Sequence, residues 1–227
     1  MSIQGNLQEI KQTLPNNVVL VAISKTHPVD VVMEAYNAGQ RIFGENKVQE
    51  MISKYEAMPK DIEWHLVGHL QTNKVKYISS FVSLIHSVDS LKLLGVINKE
   101  AEKAGRVINC LLQVYIATEE TKFGLSEEEV DDILRSADYQ DMKNIRIVGL
   151  MGMASFTDNV EKVRTEFHHL SVILRKIKEK YFSNISSFKE ISMGMSGDYN
   201  IAIEEGSTMV RIGSSIFGSR NYGFQTT

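Results

Sequence analysis

Cysteine, proline and tryptophan are scarce: the 227 residues hold one Cys, three Pro and one Trp. With Cys110 alone no disulfide can form within the chain, which fits a reducing compartment. Three prolines and no low-complexity stretch leave nothing that reads as a linker, so one domain over residues 1–227 is expected. An excess of charge of one sign is lacking too. Lys+Arg number 25 and Asp+Glu 28, a formal net charge of −3 with a pI near 6.1, so no nucleic-acid partner is expected. No apolar run approaches the length needed to span a bilayer, and Met1 to Leu14 has no secretory hydrophobic region. A cytoplasmic protein without a membrane partner is expected.

What is present is a globular composition, 43% hydrophobic and 23% charged, which excludes a disordered chain. Eight short runs rich in Val, Ile and Leu begin near Val18, Arg41, Glu63, Leu84, Ile108, Ile145, Phe188 and Thr208, at spacings that fit one strand plus one helix. Helical spacing fills the intervals: Val29 to Ala38, Lys47 to Met58, Leu70 to Ile78, Ser90 to Ala104, Glu127 to Ala137, Val160 to Phe182 and Asp198 to Glu205. A further helix, about Gln4 to Thr13, precedes the first strand. Pro28 stands at a helix start, Gly39 and Gly105 where left-handed C-caps fall, and Ser126 with Glu129 forms an S-x-x-E capping box. Eight βα units whose strands are apolar on both faces predict an α/β fold, a (β/α)8 TIM barrel with an extra N-terminal helix, over an open doubly wound sheet.

In such a barrel the working face lies at the C-terminal ends of the strands. Those positions hold Ser24 and Lys25, Glu45 and Asn46, His65, His86, Thr118, Met153 and Ala154, Ser196, and Gly213 with Ser214. Lys25 closes the run from Val18, where burial would turn its amine into a nucleophile toward carbonyls; a surface lysine at a strand end is the alternative. The turns Ser192-Met-Gly-Met-Ser-Gly-Asp198 and Arg211-Ile-Gly-Ser-Ser-Ile-Phe-Gly218 place glycines and hydroxyls where backbone N–H groups can surround an anion. Two capped glycine turns would look the same. Gly194-Met-Ser-Gly-Asp198 departs from G-x-S-x-G at its last position, which argues against a serine hydrolase. Arg211 interrupts an apolar strand and needs a partner, either a ligand or carboxylate at the mouth or an internal ion pair. His65 and His69 are separated by Gly68, which breaks any helical metal pair, so no metal is expected. His168-His169 reads as a solvated or helix-packing pair, and Leu150-Met-Gly-Met153 as packing at the rim.

Taken together, Ala22-Ile-Ser-Lys-Thr26, Phe43-Gly-Glu-Asn46 with Gln49-Glu50, Trp64-His-Leu-Val-Gly68 with Leu70-Gln-Thr-Asn-Lys74, Lys122-Phe-Gly124, the Ser192 to Asp198 turn and Gly206-Ser-Thr-Met-Val-Arg-Ile-Gly213 with Ile216-Phe-Gly218 resemble the pyridoxal phosphate homeostasis proteins. These are single-domain relatives of the N-terminal barrel of alanine racemase, and the match runs in order along essentially the whole chain. The resemblance implies that pyridoxal 5′-phosphate (PLP) forms a Schiff base on Lys25, that Ser196, Gly213 and Ser214 hold its phosphate, that Arg211 faces the pyridine nitrogen, and that Asn46 lies beside the ring. His65 and Met153 are expected to complete the cofactor-binding wall. The role implied is PLP homeostasis, carrying and supplying the cofactor without turnover, as a monomer touching PLP-dependent apoenzymes transiently. A PLP-dependent amino-acid racemase is the alternative, and a cofactor-free aldolase or phosphosugar isomerase a third. Little racemase activity is expected, because the second base of the resembling enzyme is a tyrosine from a C-terminal domain, and here nine residues follow Gly218, with Tyr222 the one conceivable substitute. His69, where many members have proline, and the Leu150 to Ala154 stretch depart from the family pattern and are expected to alter the pocket wall.

Overall fold

The computed structural model describes residues 2–117 and 124–218. Lys122, Phe123, Thr118 and Tyr222, all invoked above, lie outside the described residues. Eight parallel strands close into a barrel in sequence order: β1 (Val19–Ile23), β2 (Ile42–Glu45), β3 (Glu63–Leu66), β4 (Leu84–Val88), β5 (Ile108–Gln113), β6 (Ile145–Met151), β7 (Glu190–Ser192) and β8 (Met209–Ile212). The seam is β1 on β8, with Val19 opposite Met209 and Ala22 opposite Ile212. The expected fold is the observed one.

Each strand is apolar on both faces because both faces are buried. Inside, Val21, Ile23, Leu84, Leu111, Val148, Met151 and Met209 fill the barrel. Outside, Phe43, Trp64, Leu66 and Ile85 pack beneath the helices. Met151 thus belongs to the interior and only Met153 reaches the rim, where it is part-exposed. Cys110 is fully buried, which pushes its thiol up to about 12 and leaves it inert.

The helices are α1 (Ile3–Thr13), α2 (Val29–Asn37), α3 (Val48–Ala57), α4 (Leu91–Lys103), α5 (Glu127–Arg135), α6 (Ala137–Asp141), α7 (Val160–Tyr181), α8 (Tyr199–Glu204) and α9 (Ser214–Phe217). The Ser126–Glu129 capping box is formed in both directions, and Gly39 and Gly105 take φ of +89° and +65° just past their helices. Two expectations need correcting. Leu70 to Ile78 is not an α-helix but a 3-10 segment, Thr72–Tyr77, because i→i+3 bonds such as Lys74 N–H to Gln71 C=O take over. The single helix expected over Glu127 to Ala137 ends at Arg135, because Ser136 turns extended and caps α6 by accepting from the Tyr139 N–H. At Gly149 the strand ladder shifts register against β5, and a Cβ would sit 1.7 Å from the Glu190 carbonyl oxygen, so only glycine fits.

Among the described residues no helix is long and apolar enough to cross a membrane.

Candidate functional site

A cavity of about 510 Å³ opens at the C-terminal ends of the strands. Lys25 and Asn46 enter it from the ends of β1 and β2, Met153 and Ala154 from the end of β6. Ser196, on the turn after β7, faces Arg211 of β8 and Gly213 and Ser214 just beyond it. Seven of the eight residues expected to bind the cofactor therefore share one lining, and the eighth, His65, does not. His69 is also outside it: its side chain is 65% exposed and meets Asp89 at 3.4 Å. The expectation that His69 shapes the pocket wall is thereby corrected. Gly68 itself is required, since a Cβ there would lie 2.4 Å from the Asn46 carbonyl oxygen.

The turn that carries Lys25 is held from below. Ser24 is fully buried; its hydroxyl donates to Glu45 Oε1 (2.6 Å) and its carbonyl accepts from Lys54 Nζ (2.7 Å). Lys54 also donates to Glu45 Oε1 (2.6 Å), while Glu50 Oε2 accepts from the Thr26 N–H (2.9 Å). Burial pushes the Glu45 carboxyl up to about 7 against the opposing pull of Lys54.

Arg211 is buried and donates from Nη1 to Ser192 Oγ (2.6 Å) and from Nη2 to the Gly152 carbonyl (3.1 Å). Its direct partners are thus a hydroxyl and a carbonyl, not the ion-pair carboxylate weighed from sequence, although the charge of Asp198 acts on it. Burial lowers its pKa to about 10, which still leaves it a cation at neutral pH. Behind Ser192 runs a chain of buried groups, His86 Nδ1 at 3.0 Å from Ser192 Oγ and His86 Nε2 at 3.1 Å from His65 Nδ1. Arginine can only donate, so Ser192 accepts from it, and among the described contacts the Ser192 proton has His86 Nδ1 as its acceptor. That assigns the His86 proton to Nε2, donating to His65. Burial lowers His65 to about 3 and His86 well below its usual value, so both rings are neutral. His65 reaches the cavity only through this chain.

On the other rim, the β7 turn is tightened by Gly194 at φ +94° and by the Met195 N–H donating to Asp198 Oδ1. Ser196 Oγ accepts from the Gly213 N–H (3.3 Å), which joins the two turns. The first N–H groups of α9 have no acceptor within their own helix and lie beside the Ser214 hydroxyl at the cavity lining.

Sequence reasoning missed Lys54, Glu50 and Ser192. One signal was available: Val48, Met51 and Lys54 make the buried stripe of α3, and a lysine on an apolar stripe has to find a buried partner.

The family profile described as alanine racemase, N-terminal domain, matches residues 1–221. The chain belongs to this family. Among its relatives, the pyridoxal phosphate homeostasis protein of Aquifex aeolicus (strain VF5) is 41% identical over 208 residues, covering 91% of this chain and 89% of that one. The solved structure of PipY from Synechococcus elongatus PCC7942 without PLP has a TM-score of 0.89 at 33% identity, covering 96% of this chain and 100% of that one. PipY with PLP bound has a TM-score of 0.86 at 32% identity with the same coverage. Membership in the alanine racemase N-terminal domain family fits the position of the cavity at the strand ends of this barrel.

Proposed function

We propose that this chain is a PLP-binding protein of PLP homeostasis, holding the cofactor on Lys25 and releasing it without turnover. The observation that carries the reading is convergence: an amine, a buried guanidinium and two N–H-rich turns with hydroxyls all line one cavity. Its volume falls within the range of small-molecule and cofactor sites. The donor set fits the group. The phosphate would be held by Ser196, Ser214 and the N–H groups of the turns, the ring would lie beside Asn46 and Met153, and Arg211 would donate to the pyridine nitrogen. When bound, the cofactor supplies an aldehyde for the amine and a conjugated ring that withdraws electrons.

The names borne by the relatives and the PLP seen in PipY support this reading. Arg211 alone does not decide turnover: a guanidinium that stays protonated would donate to the ring nitrogen and leave it without a proton, a weaker electron sink. Alanine racemase shares that feature, so the role as carrier, acting as a monomer in transient contact with apoenzymes, rests on the family likeness as well. The test is borohydride reduction of the protein loaded with PLP, followed by mass mapping. Reduced cofactor on Lys25, lost in Lys25→Ala, is expected; reduced cofactor on Lys47 or Lys74 would overturn the assignment. Incubation with L-alanine in D2O is expected to give neither inversion nor α-deuteration.

A further inference from the structure

Both residues that flank Lys25 are gripped by side chains that do not line the cavity. The Ser24 carbonyl accepts from Lys54 Nζ and its hydroxyl donates to Glu45, while the Thr26 N–H donates to Glu50 Oε2. Thr26 stands at φ +68°, the one non-glycine residue among those described with positive φ, and a β-branched residue resists that conformation. Something must hold it there, and the Glu50 carboxylate bonds the N–H of that very residue.

The grip is not explained by stability. Replacing a buried ion pair by apolar side chains of similar size is often neutral or favourable. Lys54 and Glu50 bond the backbone on either side of Lys25, and Glu45 bonds the Ser24 hydroxyl and Lys54 itself. Lys54 bridges the arrangement, donating to Glu45 and lying 4.0 Å from Glu50.

We infer that Glu50, Lys54 and Glu45 are positioning residues for Lys25, fixing the Ser24–Thr26 turn so that the amine, rather than the phosphate-binding turns, sets how readily the cofactor becomes covalently attached. The inference rests on the PLP reading above. In the attachment the amine nitrogen bonds to the aldehyde carbon as C=N, and the aldehyde oxygen leaves as water with the two amine protons. A turn that wanders would lower the effective concentration of amine at the aldehyde without touching the phosphate contacts.

The test compares PLP with pyridoxine 5′-phosphate, which carries an alcohol in place of the aldehyde and so reports the phosphate and ring contacts alone. Affinities for both, and the rate of borohydride-reducible attachment to Lys25, are measured on the full chain for wild type, Glu50→Ala, Glu50→Gln and the double variant Glu45→Gln/Lys54→Met. Glu50→Ala is expected to slow attachment at least tenfold and weaken PLP about tenfold while the alcohol binds within twofold of wild type. Glu50→Gln, which keeps an oxygen for the Thr26 N–H, is expected to recover most of the loss. The double variant removes the buried charges together, so it keeps a folded reference, and it is expected to show the same split between aldehyde and alcohol. If both ligands weaken together in these variants, or neither changes, the inference falls while the PLP reading stands. If wild type itself binds the two equally and nothing is fixed to Lys25, the PLP reading falls and takes the inference with it.

Discussion

Two buried polar assemblies lie at the C-terminal end of this barrel, and they solve the same problem in opposite ways. On the side of β1, β2 and α3, Ser24, Glu45, Lys54 and Glu50 set a cation among carboxylates. Across β3, β4, β7 and β8, His65, His86, Ser192 and Arg211 set a single cation at the end of a chain of neutral groups. The first assembly cancels charge locally and holds backbone. The second leaves the charge of Arg211 uncancelled by direct contact and directs it at the cavity, where an anionic or basic ligand atom can answer it. Buried polarity therefore serves geometry in one place and electrostatics in the other.

The strongest way to break this contrast is Lys54→Met, which strands Glu45. Loss of one partner of a buried pair costs about 3–5 kcal/mol, and the loss is expected to be larger at pH 8 than at pH 6, because Glu45, already raised to about 7, takes up a proton at the lower pH. Urea denaturation at both values checks it, and an equal loss at both would mean that no charge is stranded. Next in size, removing the hydroxyls of Ser196 and Ser214 touches neither assembly. Stability is expected to fall by no more than about 1 kcal/mol, for the lost Gly213 N–H bond to Ser196, while phosphate-bearing ligand loses about 3 kcal/mol, roughly a hundredfold, as read by titration with PLP against pyridoxal.

Ser192→Ala attacks the neutral chain. Arg211 keeps the Gly152 carbonyl but loses its hydroxyl acceptor, and His86 Nδ1 loses its donor, for an expected cost of about 1–3 kcal/mol in urea denaturation. The same two assemblies also differ in pH dependence. His65 at about 3 and His86, also lowered, bind fewer protons folded than unfolded, so stability falls as pH drops below about 6.5, by ~1.4 kcal/mol per pH unit for each ring. Glu45, raised to about 7, has the opposite sign: it holds its proton folded where the unfolded chain has lost it, so its contribution falls as pH rises from 4.5 towards 7. Glu45→Gln is therefore expected to steepen the loss of stability between pH 6.5 and 5, and an unchanged slope would contradict the assignment.

Much of the site was legible without coordinates. Lys25 ends an apolar run, and Ser196, Gly213 and Ser214 sit in glycine–hydroxyl turns after the last two strands, so position in the barrel alone brings them together. His65 also lies near the end of a strand, yet it bonds His86 and does not line the cavity. Strand position selects an end of the barrel; the stagger of neighbouring strands selects which side chains reach the cavity and which are covered.

The order of elements, the inward and outward apolar faces, the caps at Ser126, Gly39 and Gly105 and the gathering of Lys25 with the glycine–hydroxyl turns at the mouth follow from the sequence by itself, because each depends on residues adjacent in the chain or on the repeat of βα units. Only the tertiary structure decided how the buried polar groups are satisfied. A hydrogen bond acts over about 3 Å, and the bond that links His86 to Ser192 joins residues 106 positions apart. Closing the barrel is what brings such groups within reach, and their partners were fixed by that closure and by nothing local.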